Sequence, residues 1–196
     1  MLITISVTAV ISSDILKTGL VKNDRVNSPR SLATYQNEQY SFQIKYNDKD
    51  FVIDTKFTKS ADNDKRIAMI KFINNEYYYG TNLESAGLYI IVDGGDQATQ
   101  TSCLKFPEEM GILISTKEIN INGAIFTVFE AEEGGMSHIY ERNIYSTVHN
   151  NKCYRIVLFI SAAEVGAFDP GTVTQFKKTE VLEKLRQVAS MFQFTK

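Results

Sequence analysis

The chain lacks tryptophan altogether and has only three prolines, two histidines and two cysteines among its 196 residues. Two histidines and two widely spaced cysteines, with no Cys-x-x-Cys pair, are too few for a structural zinc site. The sequence also contains no phosphate-binding glycine loop, HExxH motif, nucleophile elbow or nucleotide fingerprint. We therefore expect no metal and no cofactor, and an enzyme is the less favoured reading.

No charge of one sign dominates either. Lys plus Arg number 21 against 23 Asp plus Glu, which gives a net charge of −2. Nucleic-acid binding proteins attract the phosphate backbone through clustered positive charge. The composition therefore predicts no nucleic-acid partner.

Long hydrophobic runs are missing as well. The apolar stretch at residues 2–11 is too short to span a bilayer as a helix, so we predict no transmembrane segment. It has the length of the hydrophobic part of a signal peptide, although no Lys or Arg precedes it. We interpret residues 1–33 as a remnant signal or a linker, with an amphipathic segment that packs on the domain as the alternative. Residues 34–196 are predicted to form one domain.

What the chain does have is alternation. Residues 40–46, 51–57, 67–73 and 88–96 have the apolar pattern of strands. Asn122-Gly123 lies between two alternating runs and predicts a type I′ hairpin with arms at residues 117–121 and 124–131. A second hairpin is predicted to turn at residues 149–152. These signals favour an antiparallel sheet.

The last segment has a helical period instead. Its apolar residues form one stripe, and they are Val181, Leu182, Leu185, Val188 and Phe192. Thr179 is the predicted N-cap of this amphipathic C-terminal helix. Strands, hairpins and a closing helix together predict the α+β class, with a central antiparallel sheet packed by helices.

The two cysteines allow three readings. Cys153 is a nucleophile assisted by His138 or His149, a metal ligand, or one half of a disulfide with Cys103. A single pair of cysteines that flank strands favours the disulfide and, with it, an exported protein. Two buried free thiols in a cytosolic protein remain the alternative.

A candidate binding surface follows from three adjacent tyrosines, Tyr77, Tyr78 and Tyr79. They cannot all face one core, so at least one is expected to be exposed or to line a groove. We add to this surface Asn82, from the same connection, and Glu132 and Glu133, from an acidic turn.

Other polar groups have simpler interpretations. Residues 94–97 and 132–135 are predicted to be strand-ending turns that open no helix. The carboxylates that might form a cluster are expected to be solvated charges, and they are Asp93, Asp96, Glu130, Glu132 and Glu133.

The stretch TYQNEQYSFQIKY at residues 34–46 and the closing MFQF resemble the first and last motifs of PsbP-like and Mog1-like domains. Two departures are Asn47, where a proline is common, and Phe51, where a tryptophan is frequent. The resemblance implies an αβα sandwich around a central antiparallel sheet and a non-catalytic accessory or binding role. Photosynthetic members dock on a membrane complex, and Mog1 binds a small GTPase. No catalytic residue is transferred by this resemblance.

The sequence as a whole predicts a non-catalytic exported binding or accessory domain, periplasmic or secreted, with a protein partner or a small ligand. One alternative is a small hydrolase-like enzyme that uses Cys153 or a histidine. The other is a cytoplasmic protein-interaction domain of the Mog1 type.

Overall fold

The computed structural model describes residues 32–54 and 66–195. The predicted signal or linker at residues 1–33 therefore lies almost wholly outside the described residues. Ten strands and three α-helices follow one another in the described part. The strands are β1 (Leu32–Asn37), β2 (Phe42–Asn47), β3 (Phe51–Asp54), β4 (Arg66–Phe72), β5 (Leu83–Asp93), β6 (Ile112–Ile121), β7 (Ala124–Gly135), β8 (His138–His149), β9 (Lys152–Ala163) and β10 (Phe192–Phe194). The helices are α1 (Asn75–Tyr78), α2 (Gln97–Cys103) and α3 (Lys178–Ser190).

The strands form two antiparallel sheets. The large sheet has seven strands in the order β3-β4-β5-β9-β8-β7-β6, and the small sheet has the order β1-β2-β10. The predicted antiparallel sheet and C-terminal helix are confirmed. The chain is a mixed fold of antiparallel sheets with a few helices.

The large sheet buries its two faces differently. Along β9, Ile156 and Leu158 point to a face that α3 and the small sheet cover, and this face forms the main core. Val157 and Phe159 point to the opposite face, where a second and smaller apolar cluster lies. Because side chains alternate along a strand, the inner strands β4, β5, β9, β8 and β7 contribute to both clusters, while the edge strands β3 and β6 contribute only to the main core.

Helix α3 buries one stripe, as predicted, but its ends differ from the prediction. Val181, Leu185 and Val188 are buried, while the helix begins at Lys178. Thr179 therefore lies inside the first turn, and its predicted role as N-cap is wrong. Phe192 is not part of the helical stripe either, because it begins β10 and pairs with Ile44 of β2.

The predicted hairpin turn at Asn122-Gly123 is confirmed. Both residues have positive φ, 49° and 90°, as a type I′ turn requires. The second hairpin turns at Asn150 and Asn151, which also have positive φ, 46° and 58°. Asparagine tolerates this region better than most residues, so these turns fix the registers of the β6–β7 and β8–β9 pairs.

Residues 94–97 were predicted not to open a helix, and this is wrong. The Asp96 carboxylate accepts a hydrogen bond from the Thr99 backbone N–H at 2.6 Å and caps α2. An aspartate in this position satisfies one of the unpaired amide groups at a helix start. The chain therefore folds back over the second face of the large sheet directly after β5.

Gly87 makes room for an aromatic ring on this second face. It lies opposite Phe159, and a Cβ added to it would lie 2.6 Å from the Ile70 carbonyl oxygen and 3.2 Å from the Phe159 ring. Even a methyl group therefore requires the strand backbones to move apart, and it also crowds the ring.

We expect Gly87→Ala to lower the free energy of unfolding by about 1–3 kcal/mol, since forced overpacking costs that much. The matched control is Gly134→Ala in β7, where the nearest atom to the added Cβ is 3.8 Å away. Urea unfolding of both variants measures the difference. Equal stability of the two variants would contradict the close approach at Gly87.

Candidate functional site

The two cysteines lie at disulfide-bonding distance. Cys103 is the last residue of α2 and Cys153 lies at the start of β9, with their Cα atoms 5.6 Å apart. Both residues are buried, and the described part of the chain holds no free cysteine. A sulfur bonded to another sulfur is neither a nucleophile nor a metal ligand. The pair instead fastens α2 to the second face of the large sheet.

Arg155 strengthens the same junction. Its guanidinium donates to the Ser102 carbonyl oxygen at 3.3 Å and pairs with the Asp93 carboxylate at 3.5 Å. These contacts join α2, β5 and β9 beside the sulfur pair. They hold α2 against this end of the large sheet.

His138 lies at the other end of the same face. Its Nε2 is 3.0 Å from a Glu84 carboxylate oxygen and its Nδ1 is 2.8 Å from the Met136 carbonyl oxygen. The other carboxylate oxygen of Glu84 accepts a hydrogen bond from the Ser161 hydroxyl at 2.8 Å. Glu84 therefore stands between the hydroxyl and the imidazole, and each of them bonds to the carboxylate.

His149 has a packing role. Its ring is stacked on Phe194 of β10, with ring centres 3.8 Å apart, and it also meets the edge of Tyr154. It lies at the opposite end of β8 from His138. The structure therefore does not bring the two histidines together with Cys153 as a catalytic group.

The three adjacent tyrosines have three different environments. Tyr78 is half-buried, and its hydroxyl donates to the Phe72 carbonyl oxygen at 2.9 Å. Tyr77 packs its ring against Phe72 and donates to Glu180 of α3 at 3.1 Å. Tyr79 is 91% exposed. The expectation that at least one tyrosine is exposed is met by Tyr79.

Tyr77 also lines a groove between α3 and the β2–β3 connection, with a volume of about 470 Å³. Burial and the Glu180 carboxylate together raise the pKa of Tyr77 to about 12. On the same rim, Lys184 donates to Asp50 at 2.9 Å. Hydrogen bonds from Lys177 and then from Tyr77 lower the pKa of Glu180. The polar groups of this groove are thus paired with one another.

The other predicted surface residues are separated. Asn82 is only 2% exposed, and its amide ties β5 to Ala163 and Phe176. Glu132 and Glu133 are neighbours on β7 and point to opposite faces, where they pair with Lys178 and Arg142 respectively. Asn82 is therefore a buried connection and does not lie on a surface with the two glutamates.

The carboxylates do not converge on one point. Glu130 accepts from Lys117 at 2.7 Å and from Arg186 at 3.2 Å, while Asp93 pairs with Arg155 and Asp96 caps α2. No group of three potential metal ligands occurs among residues 32–54 and 66–195. Hydrogen bonds from Lys117 are the main cause of the lowered pKa of Glu130.

A second concave region, of about 300 Å³, lies on the second face of the large sheet, in the part of that face that α2 leaves uncovered. Phe159 of β9 lines it, with Arg142 directly opposite on β8. Tyr140 and Ser161 form the next row of the sheet. On the other side the Arg66 guanidinium lies 4.6 Å from the centre of the Tyr89 ring. We call this region the open face.

Sequence reasoning missed the open face. Tyr140, Arg142 and Phe159 belong to strands that were correctly predicted as a hairpin. The alternation of side chains along these strands places all three residues on one face of the sheet, and this was the signal that the sequence offered. Which side α2 covers depends on the capped helix start at Asp96, which was not predicted.

The comparisons with known proteins identify no family. No family model matches the chain, and no curated protein matches it. A solved structure from Bacteroides thetaiotaomicron VPI-5482 is similar to 83% of the chain, with a TM-score of 0.48 and 8% sequence identity. The match covers 48% of that protein, so this chain spans about half of its length.

Among residues 32–54 and 66–195, no helix is long and apolar enough to cross a bilayer.

Proposed function

We propose that the chain is a non-catalytic binding or accessory domain of an oxidising compartment, periplasmic or secreted. The observation that carries the proposal is the Cys103–Cys153 pair at bonding distance. Disulfides form and persist in secreted and periplasmic proteins and are rare in the reducing cytosol. The pair also uses both cysteines of the chain.

The contacts of the histidines support a non-catalytic role. Both ring nitrogens of His138 face oxygen acceptors, so neither is placed to take a proton from a hydroxyl. The ring of His149 is stacked on Phe194 within the packing of the small sheet. A general base has to lie within hydrogen-bonding distance of the group from which it takes the proton.

The resemblance to PsbP-like and Mog1-like domains stays part of this proposal. Its support is the placement of α3 and α2 against opposite faces of the large sheet, as an αβα sandwich requires. A protein partner or a small ligand is the expected counterpart. Tyr79 is exposed and Tyr77 lines a groove, and both observations support a contact surface at this end of the molecule.

A small hydrolase is the second candidate, because Ser161, Glu84 and His138 lie together. In a catalytic triad the hydroxyl bonds to the imidazole, and the carboxylate bonds to the far side of the ring. Here the carboxylate occupies the middle position. The order of the hydrogen bonds therefore favours a binding role.

Thiol labelling of the protein from its natural source tests the proposal. We expect no labelling by iodoacetamide when the protein is denatured without reductant, and two labelled cysteines after treatment with a phosphine reductant. The reduced sample is the control for complete labelling. Two labelled cysteines in the unreduced sample would instead support the cytoplasmic interaction domain.

A further inference from the structure

We propose that the open face binds neutral carbohydrate. This inference rests on the proposed role as a binding domain and adds the class of ligand. The aromatic rings of the open face, the paired charges at its rim and its size support this ligand class.

The aromatic part is a row of flat side chains at the uncovered end of the sheet. The rings of Tyr140 and His138 are stacked, with their centres 6.2 Å apart and their planes at 15°. Phe159 lies diagonally across from Tyr140, and its ring fits over Gly87. Both Tyr140 and Phe159 are partly exposed. A sugar ring has an apolar C–H face, and a flat aromatic ring with a polar tip is suited to cover such a face.

The rim of the open face contains both hydrogen-bond donors and hydrogen-bond acceptors. The Ser161 hydroxyl and the Glu84 carboxylate lie next to the Tyr140–His138 stack. The Arg142 guanidinium, on the other side, lies 5.9 Å from the centre of the Tyr140 ring. Neighbouring sugar hydroxyls both donate and accept hydrogen bonds, so they need both kinds of partner.

Arg142 at the rim already has a carboxylate partner, and this favours a neutral ligand. Arg142 pairs with Glu133 at 2.9 Å, and the Glu84 carboxylate lies 3.0 Å from Nε2 of His138. A site for an anionic ligand offers cations that have no carboxylate beside them, because such a carboxylate would repel the anion. The paired groups retain further hydrogen-bonding capacity for hydroxyls.

The open face is shallow, and contacts with the segment that follows α2 hold one side of it in place. The Arg142 guanidinium also donates to the Met110 carbonyl oxygen at 3.0 Å, which joins β8 to the segment that follows α2. The Tyr89 hydroxyl lies 3.8 Å from the Met110 sulfur. A volume of about 300 Å³ is at the lower end of the range for ligand pockets. One or two sugar units of a longer chain suit that volume.

Native affinity electrophoresis in gels that contain a soluble polysaccharide tests the inference. The panel consists of the neutral polymers xylan, glucomannan, galactan and glycogen, with polygalacturonate as the anionic polymer. We expect at least one neutral polymer to retard the full chain. Tyr140→Ala should weaken that binding by at least about tenfold, which corresponds to ~1.4 kcal/mol.

The control is Ile125→Ala, which removes an exposed side chain of β7 outside the open face. Retardation that is lost in Tyr140→Ala and kept in Ile125→Ala supports the site. Three results would overturn it: no retardation by any neutral polymer, equal retardation of the two variants, or retardation by polygalacturonate alone that salt abolishes. Circular dichroism of both variants verifies that they are folded.

The two proposals fail separately. A chain that binds no carbohydrate but has its disulfide in the natural source remains an exported domain with another ligand. A chain with two free thiols that still binds a neutral polymer keeps the carbohydrate site and loses the exported role.

Discussion

Replacement of both cysteines by serine should lower the free energy of unfolding by about 4 kcal/mol. The sulfurs join residues that are 50 positions apart, and a cross-link of that span removes much of the conformational entropy of the unfolded chain. In a chain of this size the loss corresponds to a melting temperature lower by roughly 8 to 16 °C. The folded contacts change little, because serine is smaller than cysteine and the main core lies on the opposite face of the large sheet.

Thermal and urea unfolding of the wild-type chain and the Cys103→Ser/Cys153→Ser variant measure this effect. A phosphine reductant provides the control, since it should lower the wild-type stability to that of the variant and leave the variant unchanged. A wild-type chain that reductant does not destabilise would show that the bond contributes nothing to folding.

Asn82→Ala should cost roughly 2 to 4 kcal/mol, because it leaves two buried polar groups without a partner. The Asn82 amide donates to the Ala163 carbonyl oxygen at 2.6 Å and accepts from the Phe176 N–H at 2.8 Å. Its own backbone N–H donates to the Thr174 carbonyl oxygen at 3.0 Å. One buried residue thus joins the start of β5, the end of β9 and the segment that leads into α3.

The control for this change is Asn75→Ala, an exposed asparagine at the start of α1. Urea unfolding should show a large loss for Asn82→Ala and a change within about 0.5 kcal/mol for Asn75→Ala, as is usual at surface positions. Asn82→Asp adds a further test. It keeps the acceptor for Phe176 and places a negative charge against the Ala163 carbonyl oxygen. Equal stability of Asn82→Ala and Asn75→Ala would remove the structural role assigned here to Asn82.

Local signals were sufficient for much of the fold. Asn122-Gly123 fixed one hairpin, and the apolar stripe of α3 was visible in the sequence because both patterns repeat within a few residues. The place of Phe192 could not be read in the same way. Its spacing fits the helical stripe, but β10 is determined by pairing with β2, and no local pattern records a partner so far along the chain.

Less of the candidate site could be predicted from the sequence. The pairing of Cys103 with Cys153 followed from a simple count, because a single pair of cysteines allows one connection. Asn82 was assigned to a surface because it lies in the same connection as the three tyrosines, whereas its amide satisfies buried backbone groups. Tyr140 and Phe159 gave no signal of their own, since their exposure depends on where a distant helix crosses the sheet.

The pairing of β2 with β10 determines when the small sheet can be completed during synthesis of the chain. Gln43 and Gln193 face each other across these strands and are 150 residues apart. At 5–20 residues per second, a ribosome needs roughly 8 to 30 s to make the second strand after the first. Throughout that interval the small sheet stays incomplete, and the main core lacks the Phe192 side chain. The folded state is therefore completed only after β10 has been synthesised.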